Sequence, residues 1–580
     1  MTQTFYRRSA GVLATLALCA PMAVLNADAV IEDPRDPLLN TGPKAEATGE
    51  RAMVSTQLAQ VTDAALAVIE NGGNAFDAFI TATFLQHVVD YHQVSHFGAL
   101  GALIYDADSD EYIALDAYSE RPVGDDCAPG TDPSKVAIAG TVRGLEALWQ
   151  RYGSMEWADY LEPAIRAAEE GVVVTSFMFG INYANWLDEE SWMRRNRQAV
   201  EHYMPDGFLV PAGHRWKMPQ LAKTLRGVRD EGADYLYTGE WGQKFVDAAN
   251  NRGYCVTLDD MDAYEPRWAE PVRSTYRGLH VIGEPPPKKG GTQIPYNLNV
   301  LEHFDMAAKG SYAESAEALA VLIRSLAVVD ADIRYAIQDP RNVQVPTDIL
   351  LSKDYARMRA DIVRQSDVQP GVDLSPAMRW ARGDATGIDV RRLAPPDDPE
   401  GARQTDDSNH NVIVDPDGNW ISGLHTGHGG APGIFIDGVA ATGSRFFAYT
   451  TGPGRRVSAN STGIIIADDE GPWLSLGSPG TPPQPVTQVL VAIIDNGIAP
   501  VDAVALPRFH AYRDDEQIVR IESGISDEVR RGIAERGIPM RELGPYDWRM
   551  GSMQVVWRDR ETGRLHGVSD PRRLGHAAGF

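Results

Sequence analysis

The strongest constraint on this chain is a change of character between residues 365 and 407. Pro, Gly, Asp and Arg dominate there, with Pro395-Pro396-Asp397-Asp398-Pro399 in the middle and few large apolar side chains. Such a stretch cannot bury enough surface to offset the entropy of ordering it, and it reads as a mobile linker. It stops at Ser408. Directly beyond, residues 411–415 and 420–424 read as a hairpin around Pro416-Asp417-Gly418-Asn419. The chain therefore divides into a mostly helical first part, a linker and a strand-rich second part. A hydroxyl residue opening a strand can attack the carbonyl of its own preceding peptide bond. The resulting ester hydrolyses and leaves that residue as a new N-terminus. Its amine, with a pKa near or below about 8, can then take the hydroxyl proton without a histidine. Oxyanion donors must stand nearby.

The remaining pattern fills in the frame. Ala64, Ala65, Leu66, Val68 and Ile69 lead into a stop at Gly72-Gly73-Asn74, and a second helix is expected over residues 75–90. Residues 102–105 and 111–115 read as paired strands about Asp108-Ser109-Asp110. Residues 141–364 read as mostly helical, with a strand over 278–282 and a stiff run at Pro285-Pro286-Pro287. Later strands are expected at 463–467, 518–521 and 554–557, and a buried helix at 486–494. No fixed-period repeat is present.

Composition narrows the function. A net charge of -26 repels phosphate backbones and anionic lipid, so neither nucleic acid nor a membrane surface is an expected partner. Arg7 and Arg8 precede an apolar run over residues 10–25, and Ala27-Asp28-Ala29 supplies a small-x-small cleavage pattern. That is an export signal over residues 1–29, too short to be a stable spanning helix, and it predicts a periplasmic or extracellular protein. Of three cysteines, Cys19 leaves with the signal. Cys127 and Cys255 are left as one disulfide or two buried thiols, and the sequence reading favours two thiols. Nothing has the spacing of a zinc site, and neither metal nor organic cofactor is expected.

The segment Asp407-Ser408-Asn409-His410, running into Asn411-Val412-Ile413-Val414-Asp415-Pro416-Asp417-Gly418-Asn419, resembles the gamma-glutamyltransferase family. There a Thr-Thr-His stretch opens the small subunit and enters a Val-Val-Asp-x-Asp-Gly-Asn hairpin. Further blocks follow in the family's order. They are Gly72-Gly73-Asn74-Ala75-Phe76-Asp77-Ala78, Ala139-Gly140-Thr141-Val142-Arg143-Gly144-Leu145, Pro163-Ala164-Ile165, Pro285-Pro286-Pro287 with Gly290-Gly291, and Gly477-Ser478-Pro479-Gly480. Ala505-Leu506-Pro507-Arg508-Phe509-His510 and Ser569-Asp570-Pro571-Arg572 complete the series.

The resemblance implies an α/β (α+β) chain folded as a four-layer αββα N-terminal-nucleophile hydrolase sandwich. It implies cleavage between Asp407 and Ser408 into a large subunit (30–407) and a small one (408–580), which remain together as a heterodimer. Ser408 stands where the family has its nucleophilic threonine; Thr405 is a rival that the hairpin spacing disfavours. Thr426 matches the threonine beside the nucleophile, Gly480 and Thr481 the oxyanion loop, and His410 reads as structural. The family arginine for the gamma-glutamyl α-carboxylate falls at Tyr118, with Arg121 three positions on. The family asparagine falls at His428, and the paired serines become Ser458-Ala459. Loss of a bidentate arginine–carboxylate contact removes strong recognition, so glutathione is not the expected substrate. The expected activity is hydrolysis or acyl transfer on gamma-glutamyl or related small-molecule amides or peptides through an acyl-Ser408 ester. The alternatives are an amidase for a non-glutamyl acyl group and an unprocessed, inactive binding protein.

Overall fold

The structure, a computed structural model, describes residues 42–580 apart from 125–126, 128, 134–135, 188–191, 366–407, 428–433, 442–453, 481–482 and 512–517. The expected export signal and linker, together with Asp407, His428, Thr481 and the rival Thr405, lie outside the described residues.

Fourteen strands build the centre: β1 (Ala47–Gly49), β2 (Met53–Thr56), β3 (Ala99–Asp106), β4 (Glu111–Ala117), β5 (Arg267–Ala269), β6 (Val272–Tyr276), β7 (Leu279–Gly283), β8 (Asn409–Val414), β9 (Trp420–Thr426), β10 (Ile464–Asp468), β11 (Gly471–Gly477), β12 (Gln554–Arg558), β13 (Leu565–Ser569) and β14 (His576–Gly579). One seven-stranded sheet runs β1-β13-β12-β11-β10-β7-β6, and the other runs β14-β2-β8-β9-β3-β4-β5. Side-chain alternation explains the layering. Val412 and Val414 of β8 meet Ile465 and Ala467 of β10 in a core between the sheets. Ile413 faces the opposite way, into a helical layer that includes α1 (Ala59–Glu70) and α2 (Ala75–Val89). Ile464 and Ile466 face another helical layer, formed by α3 (Lys289–Leu301), α4 (Ala316–Ala336) and α5 (Pro483–Ile494) among others. Helix, sheet, sheet and helix give the expected four layers.

The sequence boundaries of α2 and of the β8–β9 hairpin hold to within a few residues. Among the described residues helices predominate before residue 365 and strands after residue 408. Both parts nevertheless feed the centre: seven of the fourteen strands, β1 to β7, precede residue 365, and each sheet mixes strands from both parts. Local periodicity does not carry that mixing, because strand pairing across the linker is long-range. One expectation is overturned: Cys127 and Cys255 are not two thiols but form a disulfide across 128 residues with Cα atoms 5.6 Å apart, a spacing ordinary for such bonds. Sequence distance concealed that proximity.

Two early motifs fix where Ser408 sits. Asn74 caps α2 by accepting from the Phe76 and Asp77 backbone N–H groups, and Asp77 accepts from the Asn74 N–H in return. At the same helix start, the Asp415 carboxylate accepts from the Ala75 N–H at 2.9 Å, while also accepting from Asp417 and Asn419 within its turn. The hairpin behind the junction is thus bolted to the buried N-terminus of α2, where a carboxylate is favoured.

Candidate active site

Ser408 immediately precedes β8 and is buried. Asn409 pairs with His425, so position 408 stands opposite Thr426, the last residue of β9, which in turn pairs with Ala99 at the start of β3. Counting along the pleat from Val412 and Val414 puts position 408 on the face turned toward the other sheet, together with Thr426. On that other sheet, β11 ends at Gly477 and β10 begins at Ile464. A Cβ at Gly477 would fall inside contact distance of the His410 ring, so the two sheets are in touch at this end. The Ser478–Gly480 segment, with Gly480 at φ 89°, therefore leaves the sandwich at the same end where β8 begins.

Ser408 itself is strained. Its φ of 137° is one that residues with a side chain rarely adopt, and it stands apart from the other non-glycine positive angles, which run from 47° to 56°. Such a conformation costs on the order of 1–3 kcal/mol and persists only where surroundings impose it. One imposing contact is visible: Arg573 Nη1 donates to the Ser408 carbonyl at 3.2 Å. The Thr426 Oγ1 is buried and has no hydrogen-bond partner among the described residues. A buried hydroxyl facing a nucleophile position is available to orient it.

His410 is occupied otherwise. Its Nε2 is 2.9 Å from Ser422 Oγ, and burial lowers its pKa to about 3. It belongs to a cluster of buried neutral imidazoles. His425 Nδ1 is 2.9 Å from His87 Nε2, and His96 packs edge-on to His87. Burial lowers His96 and His425 to about 3, and His87 well below its usual value. A neutral ring locked on a serine is a structural element, not a base.

Tyr118 is buried with Ala99, Leu424 and Ala459 on the inward face, three strands from Ser408 across the sheet. The Lys288 ammonium lies 3.6 Å from the Tyr118 ring centroid and pairs with Asp116. Burial pulls the lysine down and Asp116 opposes this; burial would raise Asp116, but Lys288 and then Arg456 hold it below the usual carboxylate range. Beside them Glu284 is wholly buried, and burial raises its pKa. Its Oε2 accepts from Ser461 Oγ at 2.5 Å and the Gly463 N–H at 2.9 Å, while Oε1 has no hydrogen-bond partner among the described residues. Ala459 joins this wall through its carbonyl, which accepts from the Lys289 N–H at 2.7 Å.

The structure brings together Ser408, Thr426, Gly480, Tyr118 and Ala459 at one end of the sandwich. Ser458 is adjacent in the chain, but its hydroxyl donates to the Ile337 carbonyl at 2.7 Å. Arg121 is seated elsewhere: its N–H donates to the Arg455 carbonyl at 3.0 Å, and its guanidinium lies in the field of Asp132. Sequence reasoning missed Lys288, Glu284 and Arg573. Lys288-Lys289 stands between the matching Pro285-Pro286-Pro287 and Gly290-Gly291 without drawing notice, and nothing near Arg573 in sequence points to Ser408. Among the described residues no cluster of His, Cys, Asp or Glu is arranged to hold a metal.

Two facing seven-stranded sheets between helical layers, with buried Ser408 immediately ahead of β8, are the fold of the N-terminal-nucleophile hydrolases. The comparisons agree. A cephalosporin acylase from Bacillus halodurans superposes with a TM-score of 0.77 over 95% of this chain and 99% of its own, at 22% identity, and so shares the fold. The gamma-glutamyltranspeptidase family profile matches residues 61–580, and the chain belongs to that family. Relatives include a glutathione hydrolase proenzyme of Escherichia coli (strain K12), 26% identical over 90% of this chain and 91% of that protein. An acylase ACY 1 proenzyme of Pseudomonas sp. (strain V22) is 27% identical over 86% and 88%.

Proposed function

We propose that this chain is a self-processing amidohydrolase or acyltransferase whose nucleophile is Ser408, exported and working as the heterodimer of its own cleavage products. In maturation, Ser408 Oγ attacks the Asp407 carbonyl, the C–N bond breaks to release the Ser408 amine, which takes up the Oγ proton, and water hydrolyses the resulting ester to free Oγ and the Asp407 carboxylate. In turnover, that amine accepts the Oγ proton as Oγ attacks the substrate amide, then passes it to the departing amine. Water or a second amine releases the acyl group from the Ser408 ester. Thr426 orients Oγ, and the family resemblance gives the oxyanion donors to the backbone N–H groups of Gly480 and Thr481. The observation that carries this reading is the strained, buried Ser408 at the end of the sheets where β8 begins, which the β8–β9 register sets opposite Thr426. The family's glutathione hydrolases and acylases supply the class of reaction.

A second reading concerns the acyl group. Where the family arginine would stand, Tyr118 lies beneath an ammonium already committed to Asp116. Among the described residues of this wall no cation is left for a substrate carboxylate, and the Ser458 hydroxyl is turned to the Ile337 carbonyl. An acyl group without an α-carboxylate fits it better. Hydrolysis of paired anilides tests both readings. An uncharged acyl anilide turned over faster than the gamma-glutamyl anilide supports the second. Preference for gamma-glutamyl contradicts it. Failure to cleave either, by a chain that stays whole, supports an inert binding protein instead.

A further inference from the structure

The Arg573 guanidinium is held from several sides. Nη1 donates both to the Ser408 carbonyl at 3.2 Å and to Gln93 Oε1 at 3.1 Å, and Nε donates to the Trp548 carbonyl at 3.4 Å. The Phe177 and Trp548 rings flank it, with centroids 5.7 Å and 5.6 Å from Cζ. Arg573 is only 2% exposed. It comes from the turn between β13 and β14, on the β2 side of β8, whereas Tyr118 lies on the β3–β4 side. The clamp is thus separate from the acyl wall described above.

Cleavage ahead of residue 408 removes the covalent tether on the N-terminal side of the nucleophile. From then on the direction of the amine is set by rotation about the Cα–C bond, and the carbonyl on that bond is the group Arg573 grips. The planar fork of an arginine, itself fixed by Gln93, suits such a role better than a swivelling lysine. We infer that Arg573, braced by Gln93, is a positioning residue that fixes the Ser408 carbonyl and thereby holds the amine and the Cβ–Oγ arm, which turn together about the Cα–C bond, in the direction from which Oγ attacks the substrate. This inference rests on the reading of Ser408 as an N-terminal nucleophile. The same grip holds the unfavourable φ of the precursor. A fixed cation beside the amine also disfavours its protonated form. Among the described residues Asp90 also faces Arg573, and its carboxylate lies 3.3 Å from His92 Nδ1 at the end of α2. Burial raises the Asp90 pKa to about 7, opposed by Asn409 and Arg573.

The test uses the whole protein as Arg573→Gln, Arg573→Lys and Gln93→Leu, with melting curves to confirm folding. Arg573→Gln is expected to slow maturation and to lower kcat of the processed enzyme by about 10- to 100-fold, the range of a misaimed catalytic group. KM should stay within about twofold, and the acid limb of the kcat/KM profile should move to higher pH as the amine gains proton affinity. Arg573→Lys should keep the acid limb but not kcat. If Arg573→Gln does not accumulate folded, Gln93→Leu, which keeps the cation, carries the test through a fall in kcat at unchanged KM. A folded Arg573→Gln or Gln93→Leu enzyme with wild-type kcat overturns the inference. A wild-type protein with no chain starting at Ser408 overturns the reading beneath it, which is a different result.

Discussion

Gly477→Ala probes whether the two sheets meet as tightly at the site as the structure requires. The added Cβ would fall inside the contact distance of the His410 ring and of the Thr462 carbonyl. Neither neighbour yields freely. Thr462 contributes backbone, and His410 is wholly buried and hydrogen-bonded to Ser422 at 2.9 Å. Overpacking of this kind costs about 1–3 kcal/mol, and a displaced His410 forfeits a hydrogen bond worth about 1 kcal/mol. Together they destabilise the protein by about 2–4 kcal/mol. Urea unfolding in a Ser408→Ala background, so that a single chain unfolds, measures the loss. Adding His410→Ala removes one collision partner, so the double variant should be less destabilised than the sum of the singles by about 1 kcal/mol or more. His410 lies two residues from Ser408, and Gly477→Ala in the wild-type background should also slow maturation. An unchanged midpoint, or strict additivity with His410→Ala, would refute the account of this contact.

Other expectations follow from the same structure. Burial lowers His96, His202, His410 and His425 to about 3, so their contribution is present above the unfolded value near 6.5 and is lost as pH falls from about 6.5 to about 3. Asp90, raised to about 7, acts in the opposite sense between about 4 and 7, and burial also raises Glu284, Asp415 and Asp495; with His87 lowered as well, these four carboxyls are outnumbered by five imidazoles. The urea midpoint should therefore drop on acidification from pH 6.5 to 4.5, and a rising midpoint would be inconsistent with neutral buried histidines. Arg508 pairs with Asp570 at 2.5 Å and Arg572 with Glu522 at 2.6 Å, all four buried. Arg508→Met takes one of two guanidinium partners from the buried Asp570, leaving Arg572, and should cost about 3 kcal/mol, checked by the same unfolding assay. Apart from Cys19, thiol titration of unreduced, denatured protein should find no free cysteine, and replacing Cys127 with Ser should cost about 2–5 kcal/mol.

What the sequence revealed depended on range. The β8–β9 hairpin was legible because Asp415, Gly418 and Asn419 carry their turn chemistry within five residues. The helix α2 was legible because its cap, Asn74 with Asp77, is equally local. The pairing of β7 with β10 was not, since residues 279–283 and 464–468 are joined only through the fold. The same holds for the disulfide and for Arg573, 165 residues from the carbonyl it binds. The placement of Ser408 opposite Thr426 was accessible through family resemblance, not periodicity. The Lys288 cover on Tyr118 was accessible through neither, because which buried partner an ammonium chooses depends on packing that no local pattern encodes.

The central claim is a broken backbone ahead of Ser408. N-terminal sequencing of every chain in the purified wild-type protein tests it most directly. The account predicts a small chain beginning Ser-Asn-His, absent from Ser408→Ala. A protein that remains whole, or one whose new chain starts at another residue, would contradict it.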